Sequence, residues 1–149
     1  MTLLFSGMDS PKILEFRASK TVVPEKGTVP SMMEGMIHVW SAPYSDLGPV
    51  NSFLSALVSP EEMQRAQQFK KQNDARKYIL RHGMVRVVLG HYLHKDPKEI
   101  RFFRNICGKP YLDPQDSLPD IRFSLSHTDE MICLGITKKS AIGLDLVKT

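Results

Sequence analysis

Residues 121–147 read IRFSLSHTDEMICLGITKKSAIGLDLV, and this stretch decides the fold class. Three short extended segments, Ile121 to Ser126, Met131 to Thr137 and Ala141 to Val147, are separated by Thr128-Asp129-Glu130 and by Lys138-Lys139-Ser140. Short runs rich in β-branched residues and bounded by polar turn residues read as strands. The second connection is short enough to predict a hairpin.

Upstream of these strands the pattern is helical. Ser59-Pro60-Glu61-Glu62 is a helix start, because Ser59 can cap, proline suits the first helical position, and Glu62 completes a capping box. Met63, Ala66 and Phe69 then follow at helical spacing. A second helix is predicted from about Asp74 to Leu93, with Tyr78, Ile79, Val85, Leu89 and Leu93 toward the core and Arg76, Lys77, Arg81 and Arg86 on a polar face. Asp96-Pro97-Lys98-Glu99 repeats the cap, and Ile100 to Phe103 leads into a strand. Ile37, Val39 and Trp40, closed by Ala42-Pro43, read as an earlier strand. Residues 1–35 show no sustained period and are broken by Pro11, Pro24, Gly27, Pro30 and Gly35, which predicts an irregular extension. The expected architecture is α+β, with helices packed on one face of a small, mostly antiparallel sheet.

Composition bounds the function. A chain of 149 residues with 42% hydrophobic and 24% charged side chains is long enough for one domain with its own core. The net charge of +4 is modest, but twelve of the twenty basic residues fall between Arg65 and Lys109, against Asp74, Asp96 and Glu99. That distribution predicts a positive face suited to a polyanionic ligand. A nucleic-acid partner would rest on charge alone, since neither a recognition-helix motif nor a platform of interleaved aromatics is visible. Cys107 and Cys133 lack metal-ligand spacing and fit a reduced compartment. Met1 to Gly7 lacks the basic start and the apolar length of a signal peptide. The expectation is a cytoplasmic protein without a membrane partner.

Four features carry chemistry, in this order: the basic helical pair Arg76-Lys77, the turn Gly108-Lys109-Pro110, the strand end Phe123-Ser124-Leu125-Ser126-His127, and Gly143-Leu144-Asp145. A histidine at a strand end can donate a hydrogen bond to developing charge, although it can equally bond a loop carbonyl. An inward aspartate on a strand needs a cation or several donors, whereas an outward one needs neither.

In order and spacing these features resemble the larger, two-lobed 4'-phosphopantetheinyl transferases, over roughly residues 37–149. The resemblance implies one lobe of a pseudo-twofold fold over residues 36–149. It also implies transfer of the 4'-phosphopantetheine arm of coenzyme A to a serine of an acyl or peptidyl carrier protein, with magnesium on the pyrophosphate. By the same resemblance Arg65, Arg76, Lys77 and Lys109 meet phosphate, and Gly108, Lys109 and Pro110 lie beside the adenine. Ser126 and His127 face the pyrophosphate, with His127 as the catalytic donor, and Asp145 is a magnesium ligand. Two departures stand out. Glu62 occupies a position that is basic in the family, which implies weaker phosphate binding from the first helix. Val147 stands where the family has its second acid, which implies a weaker metal site. The second-lobe motif Trp-x-x-Lys-Glu does not occur up to Thr149. The resemblance therefore implies an enzyme incomplete in this chain alone, pairing with a C-terminal lobe or a second copy of itself. The alternative is a degenerate module that binds coenzyme A or a carrier protein without turnover.

Overall fold

The computed structural model describes residues 2–7, 11–17, 31–47, 53–115, 120–140 and 142–147. Its elements in chain order are β1 (Thr2–Ser6), β2 (Lys12–Arg17), β3 (Met36–Pro43), α1 (Pro60–Gln67), α2 (Gln72–Leu93), β4 (Phe102–Arg104), β5 (Pro110–Leu112), β6 (Ile121–His127), β7 (Met131–Lys138) and β8 (Gly143–Val147). The main sheet has the order β2-β3-β7-β6. Its β3–β7 and β6–β7 pairs are antiparallel, and β2 runs parallel to β3. Two antiparallel ribbons, β1–β8 and β4–β5, complete the strands. The α+β class and the mostly antiparallel sheet are as expected, with β2 added in parallel.

Strand alternation sorts the core into two layers. Trp40 and Ala42 of β3, Ile132, Leu134 and Ile136 of β7, and Ile121 and Phe123 of β6 share one cluster with Leu80, Met84, Val88 and Leu89 of α2. Register places Trp40 opposite Leu134 and Phe123 opposite Ile136, so the large side chains stack across neighbouring strands. The alternate positions Ile37, Val39 and Cys133 form a smaller cluster with Ile142 on the other face. Within the main layer, Trp40 Nε1 donates to the Tyr92 hydroxyl at 2.9 Å, and that hydroxyl lies 2.7 Å from His38 Nδ1. Trp40 can only donate, so the Tyr92 oxygen accepts from it while also pairing with His38 Nδ1. Burial pushes the His38 pKa down, and the ring is neutral in the core.

Helix α2 is central because it is enclosed on all sides over a run of about two turns within its 22 residues. Every residue from Gly83 to Gly90 is buried. The sheet covers one side, while Leu47, Leu54 and Leu57 of the segment before α1, with Ile100 beyond α2, complete the enclosure. Burying a Leu or Val side chain contributes roughly 1.5–3 kcal/mol, so this helix holds much of the fold together.

Three expectations are corrected. Arg86, placed on a polar face, is only 3% exposed, because an enclosed helix has no polar face at that level. Residues Thr2–Ser6 and Lys12–Arg17 are strands rather than irregular chain. They are recruited by distant partners, β8 and β3, so local periodicity carries no sign of them. The hairpin expected across Lys138-Lys139-Ser140 is absent as a ladder. There β8 leaves β7 and pairs with β1, and the hairpin connection is instead the Thr128–Glu130 turn between β6 and β7.

Gly83 sits where α2 meets Leu54. A Cβ there would lie 2.9 Å from both the Leu54 Cβ and its carbonyl oxygen. Gly83→Ala is expected to lower stability by about 1–3 kcal/mol in urea denaturation, although alanine is ordinarily the better helix former. A variant as stable as the parent would show that this contact yields.

Candidate functional site

The capping box read from the sequence is present and does more than start α1. The Glu62 N–H donates to Ser59 Oγ at 3.1 Å, and the Ser59 N–H donates to Glu62 Oε1 at 2.8 Å. The same carboxylate then reaches α2. Arg86 Nε donates to Oε1 at 2.7 Å, and His82 Nδ1 lies 2.6 Å from Oε2. Arg86 also donates to the carbonyls of Pro97 and Ile100, and its guanidinium lies 5.1 Å from the Phe102 ring centre. Burial alone would raise the Glu62 pKa. The hydrogen bonds from His82 and Ser59 and the charges of His82 and Arg86 outweigh it and bring the value down to about 2.

This network floors a cleft of roughly 450 Å³ between α1, α2 and β4. Its lining includes Arg65, Tyr78, His82, Lys98, Arg101, Arg104 and Pro110. The charges converge on Tyr78. Burial and the Glu62 charge raise its pKa, while Arg104, Arg65 and Arg81 pull the other way. One cation is spoken for, because Arg101 pairs with Asp113 at 3.1 Å.

Pro110, which closes the turn Gly108-Lys109-Pro110, lines both this cleft and a second. The second cleft, of about 370 Å³, is lined by Asn105, Lys109, Pro110, Tyr111, Asp120, Arg122, Phe123 and Ile142, among others. Gly108 adopts φ +82°, a conformation that costs other residues about 1–2 kcal/mol. Asn105 Oδ1 accepts from the N–H groups of Cys107 and Lys109 at 2.9 Å, and Arg104 donates to the Gly108 carbonyl at 2.8 Å. Lys109 Nζ crosses the second cleft to donate to the Ile142 carbonyl at 2.6 Å, tying the turn to the residue before β8. The β4–β5 ribbon is held to the main sheet by an edge-on contact between Phe102 and Phe123, whose ring centres are 5.7 Å apart.

A third group gathers at the β6–β7 turn. Lys77 Nζ donates to the Asp129 carbonyl at 2.6 Å and lies over the Tyr44 ring, while Arg81 donates to the Tyr44 hydroxyl. His127 ends β6 at the surface, and Ser126, half-buried, precedes it opposite Cys133. Desolvation pushes the His127 pKa down, and the Arg81 charge pushes it further. His82 acts on the same histidine, which links this turn to the floor of the first cleft.

Of the residues read from the sequence, Arg65 and Pro110 share the first cleft, and Lys109 and Pro110 share the second. Lys77 donates to the Asp129 carbonyl in the turn that follows Ser126 and His127, and Lys77, Ser126 and His127 line neither cleft. Arg76 lines neither cleft and makes a 3.4 Å hydrogen bond to Asn73 in its own helix. The Asp145 side chain lies outside the described residues, although its backbone pairs with Leu4 in the β1–β8 ribbon. Tyr78 was read as a core residue and His82 was not singled out. Their signal is the spacing of four that stacks them on α2, with ring centres 4.0 Å apart.

Residues 40–139 match a family model described as 4'-phosphopantetheinyl transferase, N-terminal. The chain belongs to this family. Among curated phosphopantetheinyl transferases, it is 27% identical over 116 residues to 4'-phosphopantetheinyl transferase HetI of Nostoc, covering 78% of this chain and 49% of that protein. It is 29% identical over 99 residues to 4'-phosphopantetheinyl transferase Sfp of Bacillus subtilis, covering 66% and 42% respectively. It is 30% identical over 94 residues to the human L-aminoadipate-semialdehyde dehydrogenase-phosphopantetheinyl transferase, covering 62% and 30%. The matched stretch thus spans less than half of each of these phosphopantetheinyl transferases. No helix among the described residues is long and apolar enough to cross a membrane.

The lowered Glu62 pKa sets a pH dependence. A carboxylate held below its ordinary value of 4.5 contributes stability that is complete above that pH and is lost as the pH falls toward 2. Melting followed by circular dichroism is expected to show a loss of roughly 3 kcal/mol across that window. Glu62→Gln should remove the step, and a variant that retains it would assign the step to other carboxylates.

Proposed function

We propose that this chain supplies the coenzyme A-binding part of a phosphopantetheinyl transferase acting on a serine of a carrier protein. The observation that carries the reading is the pair of clefts that share Pro110 of the Gly108-Lys109-Pro110 turn, with cations from α1, α2, β4 and β6 along them. Coenzyme A presents a 3'-phosphate, a pyrophosphate and a flat adenine, so its site needs fixed cations next to an apolar slot. The larger cleft supplies Arg65 and Arg104, and the other offers Lys109 and Arg122 beside Tyr111, Leu112 and Phe123.

In the reaction, the serine oxygen attacks the pyrophosphate phosphorus that bears the pantetheine arm. The bond to the bridging oxygen breaks, 3',5'-adenosine bisphosphate leaves, and the serine proton is released. Little covalent chemistry falls to the protein, so positioning and charge neutralisation dominate. Lys77 and Lys109 are tethered to backbone carbonyls, which holds both ammonium groups in place without neutralising them. His127 would donate to the charge that develops on the pyrophosphate, and Ser126 would hold the same oxygens. Arg76, which uses Nη1 on Asn73, would meet phosphate with its other N–H groups.

For magnesium, the family resemblance assigns a carboxylate at Asp145, whereas Val147, two residues on, has no ligating atom. One carboxylate with phosphate oxygens and water is a set that magnesium accepts. Asp145 would hold the ion, which when bound offsets negative charge on the pyrophosphate. The missing second carboxylate also favours a second reading, in which coenzyme A is bound without turnover.

Isothermal calorimetry is expected to show micromolar or weaker binding of coenzyme A and of 3',5'-adenosine bisphosphate. Lys109→Ala and His127→Ala should each weaken it about tenfold, the effect of losing one charge-assisted hydrogen bond of about 1.4 kcal/mol. No heat with either ligand overturns the proposal. A mass increase on an apo carrier protein incubated with coenzyme A, magnesium and this chain would exclude the reading without turnover.

A further inference from the structure

The Glu62–His82 pair is not explained by folding alone. A capping glutamate has done its work once it meets the Ser59 N–H, and Arg86 already neutralises it from the other helix. Glu62 Oε2 nevertheless holds His82 Nδ1 at 2.6 Å, with both side chains largely shielded, at 12% and 17% exposure. The imidazole is clamped a second time by its stack on Tyr78, with an interplanar angle of 27°. A ring fixed by a carboxylate at one nitrogen and an aromatic face along its plane has one orientation and one polar atom left for a ligand, Nε2. His82 lines the larger cleft together with Arg65 and Arg104. Those guanidiniums come from α1 and β4, so three elements each bring a nitrogen group to one wall.

We propose that His82 is a phosphate-binding residue of this cleft, with Nε2 donating to a phosphate oxygen while Glu62 holds Nδ1. The inference rests on the coenzyme A reading given above and adds to it a ligand-contacting side chain. The chemistry suits a phosphate oxygen rather than an uncharged group. Glu62 accepts the Nδ1 hydrogen, and an anion on the far side draws a second hydrogen onto Nε2, so the imidazolium bridges two negative charges. Arg65 and Arg104 add charge from either side, as several cations are needed to hold a phosphate stripped of water. The carboxylate behind the ring makes it a directional donor with a fixed aim, which a lysine in the same place would lack.

The test uses the whole chain and defined probes. In nitrogen-15 spectra of the unaltered protein, 3',5'-adenosine bisphosphate is expected to shift the His82 Nε2 resonance, whereas adenosine should leave it in place. Comparison of coenzyme A with dephospho-coenzyme A tells which phosphate is met: a shift with both assigns the pyrophosphate, and a shift with coenzyme A alone assigns the 3'-phosphate. In calorimetry His82→Gln should weaken the bisphosphate about tenfold or more, while His82→Arg stays within about threefold of the parent. Glu62→Gln should fall between them, because it leaves the ring in place and removes its orientation. Unchanged affinity in His82→Gln, with Lys109→Ala still impaired, overturns the His82 assignment and leaves the coenzyme A reading standing. Failure of the unaltered chain to bind either nucleotide overturns both.

Discussion

A buried guanidinium sets the terms for this structure. Arg86 lies in the enclosed run of α2, where an unpaired charge would cost several kcal/mol. It must be met from three directions at once, and the three partners are Glu62 on α1 and the carbonyls of Pro97 and Ile100 on the chain leading into β4. Those bonds fix α1 against α2 and fix where β4 begins. The larger cleft is the space left between these three elements, so its shape follows from how one arginine is satisfied.

The same network accounts for what could and could not be read from residues alone. Ser59 to Glu62 announced a helix start because capping is a local affair, decided within four residues. That Glu62 also serves His82 and Arg86 is a tertiary matter, twenty or more residues away in sequence. Arg86 was assigned to a polar face because sequence shows a charge and not the enclosure around it. Strands β6 and β7 were legible from alternation and turn residues, whereas β1 and β2 take their strand character from β8 and β3. The lysine and histidine of the two motifs were visible as residue types in a recognisable order. Their tethers, Ile142 for Lys109 and the Lys77–Asp129 contact beside His127, were not visible.

Position 62 shows what a side chain can do where it departs from a family pattern. An acid where a base is expected reads as a lost phosphate contact. In three dimensions Glu62 is turned away from that role, with every oxygen engaged by α2 or by its own cap. The positive charge of the cleft is carried instead by Arg65, Lys98 and Arg104, with His82 set among them. A substitution is thus better judged by what its side chain touches than by the charge it adds or removes.

The β1–β8 ribbon joins Ser6 to Gly143 and Thr2 to Val147, residues that stand at opposite extremes of the chain. Closing such a loop is inexpensive at equilibrium, since each doubling of its length costs only about 0.6 kcal/mol. In time it is slow, because contacts of large sequence separation form late. On the ribosome β1 is made well before β8 and waits for it. Ile142, which anchors Lys109 and walls the smaller cleft, directly precedes β8. The edge of the smaller cleft is therefore finished only when β1 and β8 pair, and a chain still short of β8 carries that cleft unsealed until then.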